Sequence, residues 1–318
     1  MKYRIHGHRH ADFLFRELAE YACLWGEIED ALASISDDMI IKEFEGEARK
    51  AKSISQAINR LVKAELVKRA WEPESYIFAD EEYGRAAKGT WRLDFAKDAL
   101  SVEVAFNHRS DISWNLIKPT LASELNHVQK AIQTSGGVVI TATQSMKEAG
   151  GFDSAVGTYE DYVQYLKPLG TMLPAPLVIV GLEPPETFWI AVEDGKGSSK
   201  VGRVMKYVAT TPSGEFACPD CGCVLAADVC GASACTCGEC GRGLIVPDSL
   251  FWPSCIKSRG TRTIKERMPR PCVSRLLVKA YAKKSSERVI GSMYSPSLYT
   301  RMLPEAISSI RMTSPLAS

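Results

Sequence analysis

Residues 91–106, Trp-Arg-Leu-Asp-Phe-Ala-Lys-Asp-Ala-Leu-Ser-Val-Glu-Val-Ala-Phe, constrain this chain more than any other stretch. The pattern reads as two short strands, 92–95 and 100–106, reversed by the polar turn 96–99. Each strand carries one carboxylate between apolar neighbours: Asp94 between Leu93 and Phe95, Glu103 between Val102 and Val104. Side chains alternate across a strand, so those neighbours face away from the carboxylate. Paired strands would bring both acids to one end of a sheet, where they can share a divalent ion. Metal-dependent phosphodiester hydrolysis needs that arrangement. The spacing Asp-x8-Glu is weak by itself; the apolar frame is what raises it.

With 318 residues the chain can bury a large core and exceeds most single domains, so one large domain with an appendage is the simplest expectation. The net charge of +1 hides an asymmetry. Residues 244–318 hold 13 Lys/Arg against 4 Asp/Glu, a net of +9, which leaves −8 on residues 1–243. A basic end on an acidic body points to a polyanionic partner. No apolar run reaches membrane-spanning length, and the first residues lack the apolar core of a signal peptide. The expected location is the cytoplasm.

Periodicity predicts an amphipathic helix over 13–35 and a second over 41–67, broken near Ser53. Residues 71–75 read as a loop, 107–113 as a polar loop, and 114–133 as a helix that tolerates Pro119 only near its first turn. Strands are expected at 138–141, 174–181 and 187–192, with a helix at 158–166 between the first two. Residues 195–200 look like a linker or hairpin loop, and His6, His8 and His10 alternate as on an edge strand. The order predicts an α/β fold, a mixed central sheet flanked by helices.

Seven of the ten cysteines lie between Cys218 and Cys240. Without a secretory signal, metal binding is the better reading than a disulfide framework. Cys218-Pro-Asp-Cys221 and Cys237-Gly-Glu-Cys240 are fifteen residues apart, the spacing of a small four-cysteine zinc ribbon. Gly222 and Gly241 follow the two knuckles, where the backbone wants positive φ. Cys223, Cys230 and Cys235 are left over. The Zn²⁺ is read as a structural staple or as part of a DNA-contacting element; a four-thiolate site has no open position for catalysis. Beyond the ribbon a basic run from Lys257 to Arg288, with a helix around 273–284, suits non-specific phosphate contact.

Several segments together resemble the BglII/BstYI family of type II restriction endonucleases, within the PD-(D/E)xK nuclease group. They are His10-Ala11-Asp12, Lys63-Ala-Glu-Leu-Val-Lys-Arg-Ala-Trp71, Asp94-Phe95, Glu103-Val104 with Phe106, Ser123-Glu124-Leu125 and Pro176-Leu-Val-Ile-Val-Gly-Leu-Glu183. The resemblance covers about residues 1–200 and rests on order and spacing. It implies Mg²⁺ held by Asp94, Glu103 and the Val104 carbonyl, cleavage leaving a 5′-phosphate and 3′-hydroxyl, and a homodimer matched to a palindromic double-stranded DNA site. It also implies a cognate DNA methyltransferase as genetic partner.

One position departs from the pattern. Two residues after Glu103 most of the group has Lys and the relatives have Gln; here it is Ala105. Either another group orients the water or the nuclease is inactive. Glu124 on the following helix and His108 are the candidates for a migrated group. Asn107, His108 and Arg109, where the relatives carry Ser and Asn at the first two positions, are expected to read bases. The expected domains are a nuclease-like core at 1–205, the ribbon at 216–243 and a basic region at 244–318. The leading expectation is a Mg²⁺-dependent, site-specific DNA endonuclease. Its rivals are an inactive DNA-binding protein on the same fold and a zinc-ribbon interaction module.

Overall fold

The computed structural model describes residues 1–46, 51–79, 91–124, 129–195, 197, 199–225 and 234–246. The basic run, the helix expected at 273–284 and Cys230 lie outside the described residues. The order begins β1 (Tyr3–His8), α1 (Ala11–Glu17), α2 (Ala19–Ser34), α3 (Asp37–Glu45), α4 (Ser55–Lys68), β2 (Glu72–Tyr76), β3 (Arg92–Lys97) and β4 (Leu100–Val104). It continues with α5 (Ile112–Ser123), β5 (Gly136–Ala142), α6 (Gln144–Ala149), α7 (Tyr159–Leu169), β6 (Leu177–Leu182), β7 (Phe188–Asp194) and β8 (Lys200–Tyr207). The short strands β9 (Ala209–Thr210), β10 (Phe216–Ala217), β11 (Ala234–Thr236) and β12 (Gly243–Ile245) complete it.

Six strands form the central sheet in the order β1-β6-β5-β4-β3-β2. β4, β5 and β6 run parallel, and β1, β3 and β2 join antiparallel, so the sheet is mixed as expected. Period-two alternation divides the core into two layers. Val138, Ile140, Val178 and Val180 pack with α1–α4 on one face; Val139, Leu177 and Ile179 pack with α5 and α7 on the other. Val102 of β4 belongs to the first layer and Ala105, just beyond β4, to the second, which gives Glu103 the face covered by α5.

Four local expectations are corrected. The helix expected over 13–35 is two, because the backbone is extended at Leu18 (φ −86°, ψ 128°), with no glycine or proline to mark the break. The loop expected at 71–75 is mostly strand: β2 is an edge strand, where Pro73 can lack an N–H without breaking the sheet. The helix expected over 114–133 starts at Ile112 and is capped by Glu124, so Pro119 lies in its interior. Pro119 faces the sheet: a Cβ built on Gly137 would come within 2.4 Å of the Pro119 Cβ. The bare glycine lets α5 lie close on β5, contact that offsets the amide hydrogen bond Pro119 cannot make. Finally, His10 does not continue the alternation; β1 ends at His8 and His10 turns to φ 59° ahead of α1.

β7 and β8 form a hairpin across residues 195–199 and carry the ribbon. β8 runs through residue 205, and β12 pairs with it in parallel, giving a four-stranded sheet β11-β12-β8-β7. Arg242 ties this element to α3 through Glu45, and it also pairs with Asp220. No helix among the described residues is long and apolar enough to cross a membrane.

Candidate active site

The site is built where the β3–β4 hairpin stops pairing. Phe95–Val102, Ala96–Ser101 and Lys97–Leu100 are in register, and the next pair would be Asp94 with Glu103. There the two acids take over the role of the backbone ladder. The Val104 N–H donates to Asp94 Oδ2 at 2.8 Å, and the Asp94 N–H donates to Glu103 Oε1 at 3.3 Å. Both carboxylates are therefore fixed by the opposite strand's amide. On the other side of β3 the register also skips Asp94: β2 pairs at Pro73 and Ser75 while Glu74 between them adopts φ 60°. A non-glycine residue in the left-handed region is strained, and strain collects at functional sites. Glu74 is ion-paired with Arg92 at 2.8 Å.

Electrostatically the pair is under tension. Glu103 is only 2% exposed. Burial, then the neighbouring charge of Asp94, push its carboxyl up to about 8, against the opposing pull of Lys118. Burial likewise raises the Asp94 carboxyl, opposed by the Val104 amide and by Lys118. Lys118, on α5 and 8% exposed, makes an ion pair with Glu103 Oε2 and donates to the Arg92 carbonyl at 3.3 Å. Two facing carboxylates, with oxygen donors only and an ammonium beside Glu103, suit a hard divalent cation. The position of the missing third residue is closed: Ala105 is buried in one apolar cluster with Ile112, Leu116 and Tyr162, its N–H on the Ile140 carbonyl and its carbonyl accepting from the Thr141 hydroxyl.

A sequence model of the family described as restriction endonuclease BglII/BglIII matches residues 3–182, more than half of the 318. The chain belongs to that family. The match begins with β1 and ends with the last residue of β6, so it spans the six-stranded sheet and the carboxylate hairpin. Among solved structures, the restriction endonuclease BglII complexed with a DNA 16-mer is 23% identical at a TM-score of 0.45, covering 67% of this chain and 94% of that one. Free BglII is 20% identical at a TM-score of 0.36, covering 71% and 99%. No curated protein matches the chain.

In this BglII/BglIII-family chain the residues expected at the site are placed unequally. Asp94, Glu103 and Val104 come together at the open end of the hairpin. Asn107, His108 and Arg109 follow on an exposed loop that leads through a short 3-10 turn into α5. That loop is anchored along its length. The buried Asn115 donates to Asn107 Oδ1 at 3.0 Å and to the Tyr162 hydroxyl at 2.7 Å, and His108 bridges Val156. Arg109 pairs at 3.0 Å with Asp161, which also caps α7. Glu124 is exposed at the C-terminal cap of α5, six residues and about 9 Å of helix rise beyond Lys118. The structure does not bring it to the pair; the α5 side chain that arrives there is Lys118. Its sequence signal was present: Lys118 is the sole charged residue within α5.

The cysteine cluster is a second, separate centre. The Sγ atoms of Cys218, Cys221, Cys237 and Cys240 all lie within 4.8 Å of one another. Cys218–Cys240 and Cys221–Cys237 are both 3.6 Å apart, close to the edge of about 3.8 Å that a tetrahedron with Zn–S bonds near 2.3 Å requires. Gly222 and Gly241 both have φ +74°, as each knuckle demands. Cys223 lies at 3.2 Å from Cys237 outside that foursome. The apolar residues behind the thiols are few: Val208, Leu244 and Val246 are the buried ones. A core of that size needs a staple, which suits structural zinc. Among the described residues no other group of three or more His, Cys, Asp or Glu converges in this way.

Proposed function

We propose that the protein is a Mg²⁺-dependent type II restriction endonuclease that hydrolyses phosphodiester bonds at a specific, palindromic site in double-stranded DNA, acting as a homodimer in the cytoplasm beside a cognate DNA methyltransferase. The observation that carries this reading is the carboxylate pair of Asp94 and Glu103, fixed by opposing strand amides within a chain of a restriction endonuclease family. Asp94, Glu103 and the Val104 carbonyl would hold the ion. Bound by those residues, a divalent ion would supply a more acidic water and polarisation of the scissile phosphate. Asn107, His108 and Arg109 would present donors and acceptors to base edges, with Arg109 suited to guanine. Asn115 and Asp161 hold that loop in place ahead of DNA binding. The ribbon of residues 216–243 would hold Zn²⁺ structurally.

The test is cleavage of long unmethylated duplex DNA with Mg²⁺ by the purified protein and by Asp94→Ala and Glu103→Ala. Discrete fragments made by the parent and lost in both variants support the reading. The buried Ala105 favours one rival, a DNA-binding protein without activity. A mobility shift with no cleavage by the parent would establish that rival instead.

A further inference from the structure

We propose that Lys118 fills the third catalytic place, contributing from α5 the charged donor that Ala105 cannot contribute from the end of β4; this inference rests on the nuclease reading above. Three observations converge on it. Lys118 Nζ is ion-paired with Glu103, one of the two carboxylates that would hold the ion. Its stem is buried, so the ammonium is aimed at the hairpin rather than free to swing into solvent. And Ala105 is buried in one apolar cluster with Ile112 and Leu116 of the same helix. A polar side chain at 105 would enter that apolar cluster, so the end of the strand offers no donor where the helix offers Lys118.

A purely structural role explains this arrangement poorly. Burying a Lys–Glu pair costs more desolvation than an apolar pair of the same volume. An ammonium carries three donors. Among the described residues Lys118 uses one on Glu103 and one on the Arg92 carbonyl, which leaves one for a ligand at the open end of the hairpin. In the reaction the water oxygen forms the new bond to phosphorus and the bond from phosphorus to the 3′-oxygen breaks. The 3′-oxygen leaves with the electron pair and takes a proton from solvent, while the attacking water loses its proton to solvent. Lys118 keeps its protons throughout. Its part is to orient the water and to offset negative charge growing on the phosphoryl oxygens.

The experiment compares Lys118→Met and Lys118→Arg with the parent. Single-turnover cleavage of long unmethylated duplex DNA is measured at saturating Mg²⁺, DNA affinity by mobility shift, and binding of Ca²⁺ alone by calorimetry. The expected result is cleavage slowed about 100- to 1,000-fold in Lys118→Met, partly restored in Lys118→Arg. DNA affinity is kept, and Ca²⁺ binds at least as tightly because Glu103 has lost a competitor. Cleavage by Lys118→Met within threefold of the parent overturns the proposal. So does weakened Ca²⁺ binding, since that would mean that Lys118 only positions Glu103. If Lys118→Met does not fold, the rate of Lys118→Arg decides: a full parental rate overturns the proposal, and a partial rate with intact Ca²⁺ binding supports it. If the parent itself leaves the DNA intact, the nuclease reading fails and this inference falls with it; if the parent cuts, Asp94→Ala does not and Lys118→Met does, this inference fails alone.

Discussion

Replacing Glu103 by Gln should remove a pH-dependent loss of stability from the metal-free protein, so that the variant gains on the parent as the pH rises. Folded Glu103 titrates near 8 against 4.5 for the free side chain, because it is buried and faces Asp94. Between those values the folded state binds a proton that the unfolded state has released. Stability of the parent therefore falls as pH rises through that window and levels off above it. At about 1.4 kcal/mol per pH unit the ceiling is roughly 5 kcal/mol, a large share of a domain's total stability. Gln carries no such charge, so the variant lacks this slope. Urea unfolding of both proteins in a chelator weak enough to spare the thiolate site, at about pH 5, 7 and 9, gives the difference directly. The expected difference grows in favour of Glu103→Gln from the lowest pH to the highest. A difference that is flat, or that moves toward the parent as the pH rises, would overturn this expectation. It would mean that Lys118 holds Glu103 ionised in the fold at little cost.

Three further outcomes follow from other parts of the molecule. Gly137→Ala should lower stability by about 1–3 kcal/mol, read by urea unfolding, because the new methyl meets Pro119 and forces α5 away from β5. Cys218→Ser or Cys240→Ser should reduce bound zinc from one equivalent to a small fraction of it, measured by metal analysis after gel filtration; parental zinc in both would remove the ribbon reading. Arg109→Ala should weaken discrimination between cleaved and altered sites by about 1–3 kcal/mol in competitive cleavage, with less effect on binding to random DNA. Equal losses on all sequences would make Arg109 a phosphate contact instead.

Much of the architecture could be read from local pattern. The β-branched run at 138–141 and the apolar run within 174–181, bounded by turn residues, exposed the parallel core strands, and the apolar frame of Asp94 and Glu103 exposed the hairpin. The two knuckles exposed the thiolate centre, because ligand spacing is a local property of the chain. What escaped depended on distant partners. β2 is a strand because β3 offers it an edge, although Glu-Pro-Glu-Ser has little strand character of its own. The break at Leu18 follows no helix-stopping residue. Lys118 escaped for a related reason. With α5 extended to residue 133, it was one of several polar residues on a long helix; with α5 ending at Ser123, it is a lone cation on an otherwise uncharged segment. Its placement follows from how closely α5 lies on β5, where Gly137 admits Pro119, a contact between residues eighteen apart that no periodicity reports.

The pairing of β12 with β8 has a consequence for handling the protein. β8 holds β7 on one side and β12 on the other, and β12 is only three residues long, placed by the loop that carries Cys237 and Cys240. If the proposed zinc were removed from the thiolate centre and β12 came away, the inner edge of β8 would lie open along Met205, Lys206 and Tyr207. A bare strand edge is a template for another chain. Demetallation would then appear first as self-association and precipitation, while the carboxylate hairpin itself stayed intact.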